Sequence, residues 1–297
     1  MMLTPTGTGR WQSSLTALAP WLFLLLWSAG FPIAKVALAD ASPLVVLSLR
    51  YAFSLLILLV LWVVIRPPLP TSAAAWRHLA VVGFLVQVLY FGLIYVSMSL
   101  GMSAGVSALI VSLQPLVIGL ASPWFLGESV SRRQWLGLLL GFGGTILVVS
   151  AQTGATSLSW LELLLAIGSL LGISGGMLYE RRFGTPQHIV TANLVQYSVG
   201  LMVCAPLLLF EDSHLTVTAS FSWALAYLVI GNSLIAVTLL LALSRVGRSA
   251  KVASLFFLVP PGAALLSFLI LGERIALLAW PGMLVAVAGV ALASRKG

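Results

Sequence analysis

Residues Ser112 to Ser129 read SLQPLVIGLASPWFLGES, and residues Phe257 to Arg274 read FLVPPGAALLSFLILGER. Each is an apolar run that carries a proline and closes on Leu-Gly-Glu, with the same spacing from proline to glutamate. A shift of 145 residues lays Leu113 on Leu258, Pro115 on Pro260 and Leu126-Gly127-Glu128 on Leu271-Gly272-Glu273. The match continues past both stretches, with Trp135 on Trp280, Gly137 on Gly282 and Gly144 on Gly289. Shared apolar composition does not keep prolines, glycines and tryptophans in register, so the chain reads as an internal duplication.

The duplicated material is membrane material. The 297 residues are 60% hydrophobic and 7% charged, against roughly 25% charged in soluble domains. A membrane-spanning helix needs about 20 mostly apolar residues. Ten such runs follow one another, at 15–38, 43–65, 76–99, 103–126, 133–150, 159–180, 188–210, 220–244, 249–271 and 276–294. The predicted fold is all-α and integral to the membrane: a tail over 1–14, a first five-helix repeat over 15–150 and a second over 151–297. The connections are too short for a soluble domain, so any chemistry belongs inside the bilayer. The first run lacks a convincing cleavage site and reads as a retained helix rather than a signal peptide. Cys204 is the only cysteine, which excludes an internal disulfide and a thiolate metal cluster.

The formal charge of +8 reads as orientation rather than as affinity for nucleic acid. With the N-terminus in the cytoplasm, Arg10, Arg66, Arg77, Arg132, Arg133, Arg181, Arg182, Arg245, Arg248, Lys251, Arg295 and Lys296 all fall on that side. Arg274 falls outside, and Lys35 and Arg50 lie in or near the outer membrane half. This positive-inside bias puts both termini in the cytoplasm.

The same offset sets Gln87 against Asn232, Gly30 against Gly175 and Lys35 against Glu180. Five helices separate equivalent spans, and five is odd. The second copy therefore enters the membrane in the opposite sense, as an inverted-topology repeat, which favours a solute site near the midplane with alternating access. Pro115 and Pro260 fall near the centres of spans four and nine. A proline there removes a backbone hydrogen bond and bends the helix, making the pair either matched hinges or packing features.

The residues also carry a family resemblance. "WSAGFPIAKVAL", "LRYAFSLLILL" and "GMSAGVSALIVSLQPLVIGLASPWFLGESVSRRQWLGLLLGFGGTILVV" resemble EamA-type members of the drug/metabolite transporter superfamily. "LALSRVGRSAKVASLFFLVPPGAALLSFLILGERIALLAWPGMLVAVAGVAL" is similar to the second copy of that signature. The resemblance covers nearly the whole chain. It implies ten helices, a central cavity lined by spans one to four and six to nine, peripheral spans five and ten, and outward movement of small metabolites, commonly amino acids. Length and layout are similar to the YddG-type aromatic amino-acid exporters.

Polar groups are expensive in hydrocarbon, so those near mid-membrane are candidates either for the solute site or for bonds between helices. Gln87 and Asn232 lead, since an amide both donates and accepts and suits a zwitterion. Ser103, Ser107, Gln114 and Ser122 form one helical stripe, and Asn193, Gln196, Tyr197 and Gly200 another; both are expected to face the interior. Trp27, Tyr90 and, with them, Phe31, Tyr51, Tyr95, Tyr179 and Phe257 offer stacking surface. Lys35 and Arg50 either snorkel to headgroups, with Asp40 beside Arg50, or attract a substrate carboxylate at the outer mouth. No carboxylate falls at a span centre, and His78, His188 and His214 read as peripheral. The expected transporter is therefore not obligatorily proton-coupled.

The expected activity is export of small metabolites, most simply amino acids, across a bacterial inner membrane. Drug-like, lipid-linked or nucleotide-sugar substrates are the runner-up. An intramembrane enzyme is disfavoured: there is no His-Glu-x-x-His, no intramembrane acidic pair and no Walker A motif. No cofactor or metal is implied. The expected partners are the solute and the bilayer, with a monomer or a homodimer as the assembly. Gly137-x-x-x-Gly141 and Gly282-x-x-x-Ala286 serve close packing either within the chain or between two copies.

Overall fold

The computed structural model describes residues 8–128, 130–152, 159–185, 187–240, 258–272, 277 and 279–294. Among them every regular element is a helix, apart from one isolated bridge between Ala41 and Leu215. The helices are α1 (Thr8–Asp40), α2 (Pro43–Ile65), α3 (Ala73–Leu100), α4 (Ala104–Phe125) and α5 (Arg132–Gln152). They continue with α6 (Trp160–Phe183), α7 (Ile189–Leu207), α8 (Ala219–Leu240), α9 (Val259–Leu271) and α10 (Ala279–Ser294). Seven of them, α1 to α4 and α6 to α8, contain segments long and apolar enough to cross a membrane, and α9 and α10 contribute shorter apolar segments. Phe257, Glu273, Arg274, Arg245, Arg248 and Lys251 lie outside the described residues.

Polarity is arranged for lipid. Val64, Leu209, Trp124 and Leu284 are exposed, whereas Arg50, Gln87, Gln114 and Gln196 are buried. Trp124, Trp160, Trp223 and Trp280 are exposed near helix ends, as an interfacial belt requires.

The Leu-Gly-Glu motif has a local explanation. Gly127 and Gly272 both adopt φ +68°, the left-handed conformation that closes a helix and that only glycine adopts without strain. The proline of each repeat acts differently from expectation. α4 stops at Leu113, where the backbone bonds tighten to residues three back, and a fresh helical segment begins at Gln114 with Pro115 in its first turn. Leu258 caps the start of α9, and Pro260 lies in its first turn. Neither proline therefore lies inside a helical segment and loses a bond there; each sits at a first turn, where the missing N–H costs nothing.

α3 and α8 are interrupted as well. Phe84–Tyr90 and Leu228–Ala236 are π-helical, and the 145-residue offset superposes them. The Phe91 N–H donates to the Val86 carbonyl and the Val237 N–H to the Asn232 carbonyl, each five residues back. Such segments are rare and concentrate at functional sites. Nothing in the hydrophobic pattern announces them.

α5 and α10 form the most extensive helix pair. Gly144 lies against Gly282 and Ala286, and Gly289 against Gly137 and Gly141. The contact order shows that these two repeat-equivalent helices run antiparallel, with backbones in contact. The small-residue motifs are thus spent within the chain.

Both ends of the central bundle are tied. At the Asp40 end, the Asp40 carboxylate accepts from Thr218 Oγ1 at 2.6 Å and Ser220 Oγ at 3.3 Å, while the Leu44 N–H donates to Glu211 at 3.2 Å. At the opposite, Glu128 end, Arg181 pairs with Glu128 at 2.7 Å, and Arg182 donates to the Phe125 carbonyl.

Candidate functional site

Arg50 lies two turns into α2, which Pro43 starts at a position where proline loses no bond. Its side chain does not snorkel; the residue has no exposed surface. Nε donates to Ser233 Oγ at 2.7 Å, Nη2 to Asn232 Oδ1 at 2.7 Å and Nη1 to the Tyr95 hydroxyl at 3.0 Å. The guanidinium also stands 4.0 Å over the Phe91 ring. Asp40, expected beside it, is engaged at the helix end instead.

None of these partners is an anion. Among the described residues the ion pairs are His78–Glu180 and Arg181–Glu128, and the ionisable groups acting on Arg50 are Tyr95, Tyr197 and Tyr51. Of the seven acidic residues, only Glu273 lies outside the described set. Burying an unpaired charge costs several kcal/mol. Hydrogen bonds from a charged donor return about 1.5–3 kcal/mol each, and a desolvated cation–π contact about 2 kcal/mol. The guanidinium is thus held in place without being neutralised.

An aromatic wall adjoins it. Trp27 stacks on Tyr90 with ring centroids 6.0 Å apart and planes 7° apart. Phe91 packs on Tyr90 at 4.4 Å and meets Tyr95 edge-on at 6.2 Å. These rings, with Gly30, Phe31, Met98 and Asn232, line a slit of about 260 Å³ between α1, α3 and α8. At its centre there is room for roughly one water molecule. Gly30 makes the approach possible, because a Cβ there would stand 2.6 Å from Asn232 Nδ2.

Behind the slit, two tyrosines bind the π-helical backbones. The Tyr51 hydroxyl donates to the Gln87 carbonyl at 2.6 Å, and the Tyr197 hydroxyl to the Ser233 carbonyl at 2.9 Å. Their rings lie 5.7 Å apart, so the pair straddles the junction of α2 and α7. The Gln87 amide is fully buried, and neither of its polar atoms makes a hydrogen bond of ordinary length. The Tyr197 hydroxyl is near enough to interact with it weakly. An unsatisfied buried polar group costs about 1–3 kcal/mol. Gln87→Leu is therefore expected to raise the melting temperature of the purified protein while lowering solute flux several-fold. A variant that is less stable, or equally active, would assign the amide a structural role.

A second cavity, of about 440 Å³, is lined by Val86, Gln114, Met177, Glu180, Gln196 and Val237 among others. Gln114 Nε2 contacts Met177 Sδ at 3.6 Å while its Oε1 is unpartnered, as is Gln196 Nε2. The structure thus divides the sequence candidates. Trp27, Tyr90 and Asn232 line the slit, Arg50 stands directly behind its wall, Gln87 and Tyr197 lie in the layer between, and Gln114 and Gln196 line the second cavity.

Two candidates are placed elsewhere. Lys35 does not face the slit: its Nζ donates to the Met98 and Met102 carbonyls at 2.6 and 3.0 Å, capping the end of α3. It lines a separate depression at the Asp40 end. Asn193 donates to Thr238 Oγ1 at 2.8 Å, joining α7 to α8. His78, read as peripheral, is buried and bonded to Glu180 at 2.6 Å, with Tyr179 stacked on it.

Sequence reasoning missed Ser233, Phe91 and Met98. Ser233 was legible only as the neighbour of Asn232, and the two apolar residues carry no signal that separates a cavity wall from core.

A helical bundle with seven helices long and apolar enough to cross a membrane, and with polar residues buried at its centre, is that of a multi-pass membrane protein. Residues 15–150 and 160–295 each match the EamA-like transporter family, and the chain belongs to that family. It is 28% identical over 283 residues to the uncharacterized transporter YvbV of Bacillus subtilis, covering 95% of this chain and 92% of the other. A probable amino-acid metabolite efflux pump of Salmonella typhimurium is 22% identical over 281 residues, covering 91% of each chain. One solved crystal structure superposes with a TM-score of 0.74 at 22% identity, over 95% of this chain and 96% of the other, which supports the fold.

Proposed function

We propose that this transporter exports small amino-acid-type metabolites, aromatic ones foremost, across the bacterial cytoplasmic membrane. The supporting observation is the slit: a narrow polar and aromatic space at the meeting of the two repeats, with both bundle ends tied by side-chain bonds. On this reading ten helices span the bilayer as two inverted five-helix repeats. The Glu128 end, rich in arginine, faces the cytoplasm together with both termini. The cavity holding Gln114 and Gln196 is then the cytoplasmic approach, and the slit is the site that closes around the solute.

Alternating access needs elements that bend in pairs. The break at Leu113, followed by a proline that keeps the second segment rigid, serves as a hinge, and Pro260 in the first turn of α9 is its counterpart in the second repeat. The slit contains no acid or histidine among the described residues, so the solute's own gradient supplies the driving force. The expected result in proteoliposomes is flux of a labelled amino acid without a pH gradient. Strict dependence on a gradient would overturn the facilitator reading and direct attention to the buried His78–Glu180 pair.

A second reading has its own observation. An apolar groove of about 960 Å³ lies between α2 and α8, lined by Leu49, Phe53, Phe221, Leu225, Val229 and Ile230 among others, and it suits a lipid-like or drug-like solute entering sideways. Flux of such compounds with none of amino acids would decide for it.

A further inference from the structure

We propose that Arg50 is the carboxylate receptor of this transporter, and that Asn232 Oδ1 and Ser233 Oγ occupy the places of the two substrate carboxylate oxygens. The proposal rests on the reading of the slit as the solute site and names the chemical class it accepts. A guanidinium presents one edge, Nε and Nη2, whose two parallel N–H bonds match the two oxygens of a carboxylate. Here that edge is filled by two neutral oxygens from adjacent residues of α8, each at 2.7 Å. The charge itself has no anionic partner among the described residues.

A carboxylate would form bonds roughly twice as strong as those of the neutral oxygens, and would neutralise a cation that the fold has already desolvated. The surroundings suit an entering acid. Tyr95 and Asn232 are both partners of Arg50 and walls of the slit, so a solute there is separated from the guanidinium only by groups that must give way. Trp27, Tyr90 and Phe91 offer ring faces to the rest of the molecule.

Exchange of partners also has a mechanical consequence. Arg50 belongs to the first repeat, whereas Asn232 and Ser233 lie on the π-helical segment of the second. When the substrate takes the fork, the bonds joining α2 to α8 are released, and the two repeats become free to move with the solute bound. When it leaves, the neutral oxygens return and the empty protein closes again.

The test uses the full-length purified protein and the thermal midpoint as readout, with L-phenylalanine and indole-3-acetate each compared with its primary amide. The acids are expected to stabilise the protein at concentrations at least ten-fold lower than their amides. Arg50→Gln is expected to abolish that preference. Asn232→Asp provides a second test that keeps Arg50 in place: it puts a resident carboxylate on the fork, and is expected to raise the midpoint while abolishing the response to acids. Amides that act as well as acids, acids without effect on the native protein, or an undiminished acid response in Asn232→Asp would each overturn the proposal. Acid-selective binding without flux in vesicles would instead overturn the export reading alone. Flux that treats acids and amides alike would overturn only the carboxylate assignment.

Discussion

Arg50→Met is expected to leave the protein folded and to cut flux by roughly 30-fold to 4,000-fold, the range for removing one partner of a buried, hydrogen-bonded charge contact worth about 2–5 kcal/mol. The buried guanidinium carries a cost of its own. With neutral partners only, its removal relieves a desolvation cost of several kcal/mol and forfeits three hydrogen bonds and one ring contact. Those amounts nearly cancel, and replacing buried ionic groups by apolar ones of similar volume is often neutral or stabilising. A residue retained for stability would behave in the opposite way. Melting temperature and proteoliposome flux, measured on the same preparation, separate the two cases: collapse of the fold with proportionate loss of flux would make Arg50 a staple between α2, α3 and α8.

Gly289→Leu is expected to lower the melting temperature by about 6–12 °C, corresponding to about 3 kcal/mol or more of overpacking in a chain of this size. Even a single Cβ at Gly289 would lie 2.7 Å from the Gly137 carbonyl, and one at Gly144 would lie 2.6 Å from the Gly282 carbonyl. These neighbours are backbone, so no rotamer change relieves the clash and α5 and α10 must separate. Gly143, one residue away, has open space where its Cβ would be, so Gly143→Leu is the control and is expected to be tolerated. If Gly289→Leu altered only the oligomeric state at unchanged stability, the close contact would belong between chains.

The membrane class and the duplication were legible because both are written in one dimension. A chain with 7% charged residues has no other solvent than lipid, and a proline, a glycine and a tryptophan recurring at a fixed offset need no structure to be seen. Gly127 and Gly272 repeat because each closes a helix at φ +68°, a local demand that local sequence can meet. The two polar stripes were legible for the same reason: helical periodicity alone places Ser107 and Gln114, or Gln196 and Tyr197, on one face, and all four are buried.

Partners across the bundle were not legible. Tyr51 and Tyr197 were read on separate spans, and only the packing of α2 against α7 brings their rings to 5.7 Å. Lys35 and Arg50 looked alike in the sequence, two cations in the outer half of neighbouring spans. One caps the carbonyls ending α3 and the other holds two oxygens of α8.

By itself the sequence determined the solvent, the repeat and the positions of the helix stops, since these follow from composition and from conformational preferences of single residues. Only the tertiary structure decided which buried charge lacks a counter-charge, where the helices loosen into π-turns, and which rings enclose the slit. Those are properties of distances between segments remote in the chain, and they are fixed by how the apolar helix surfaces pack rather than by any one of them.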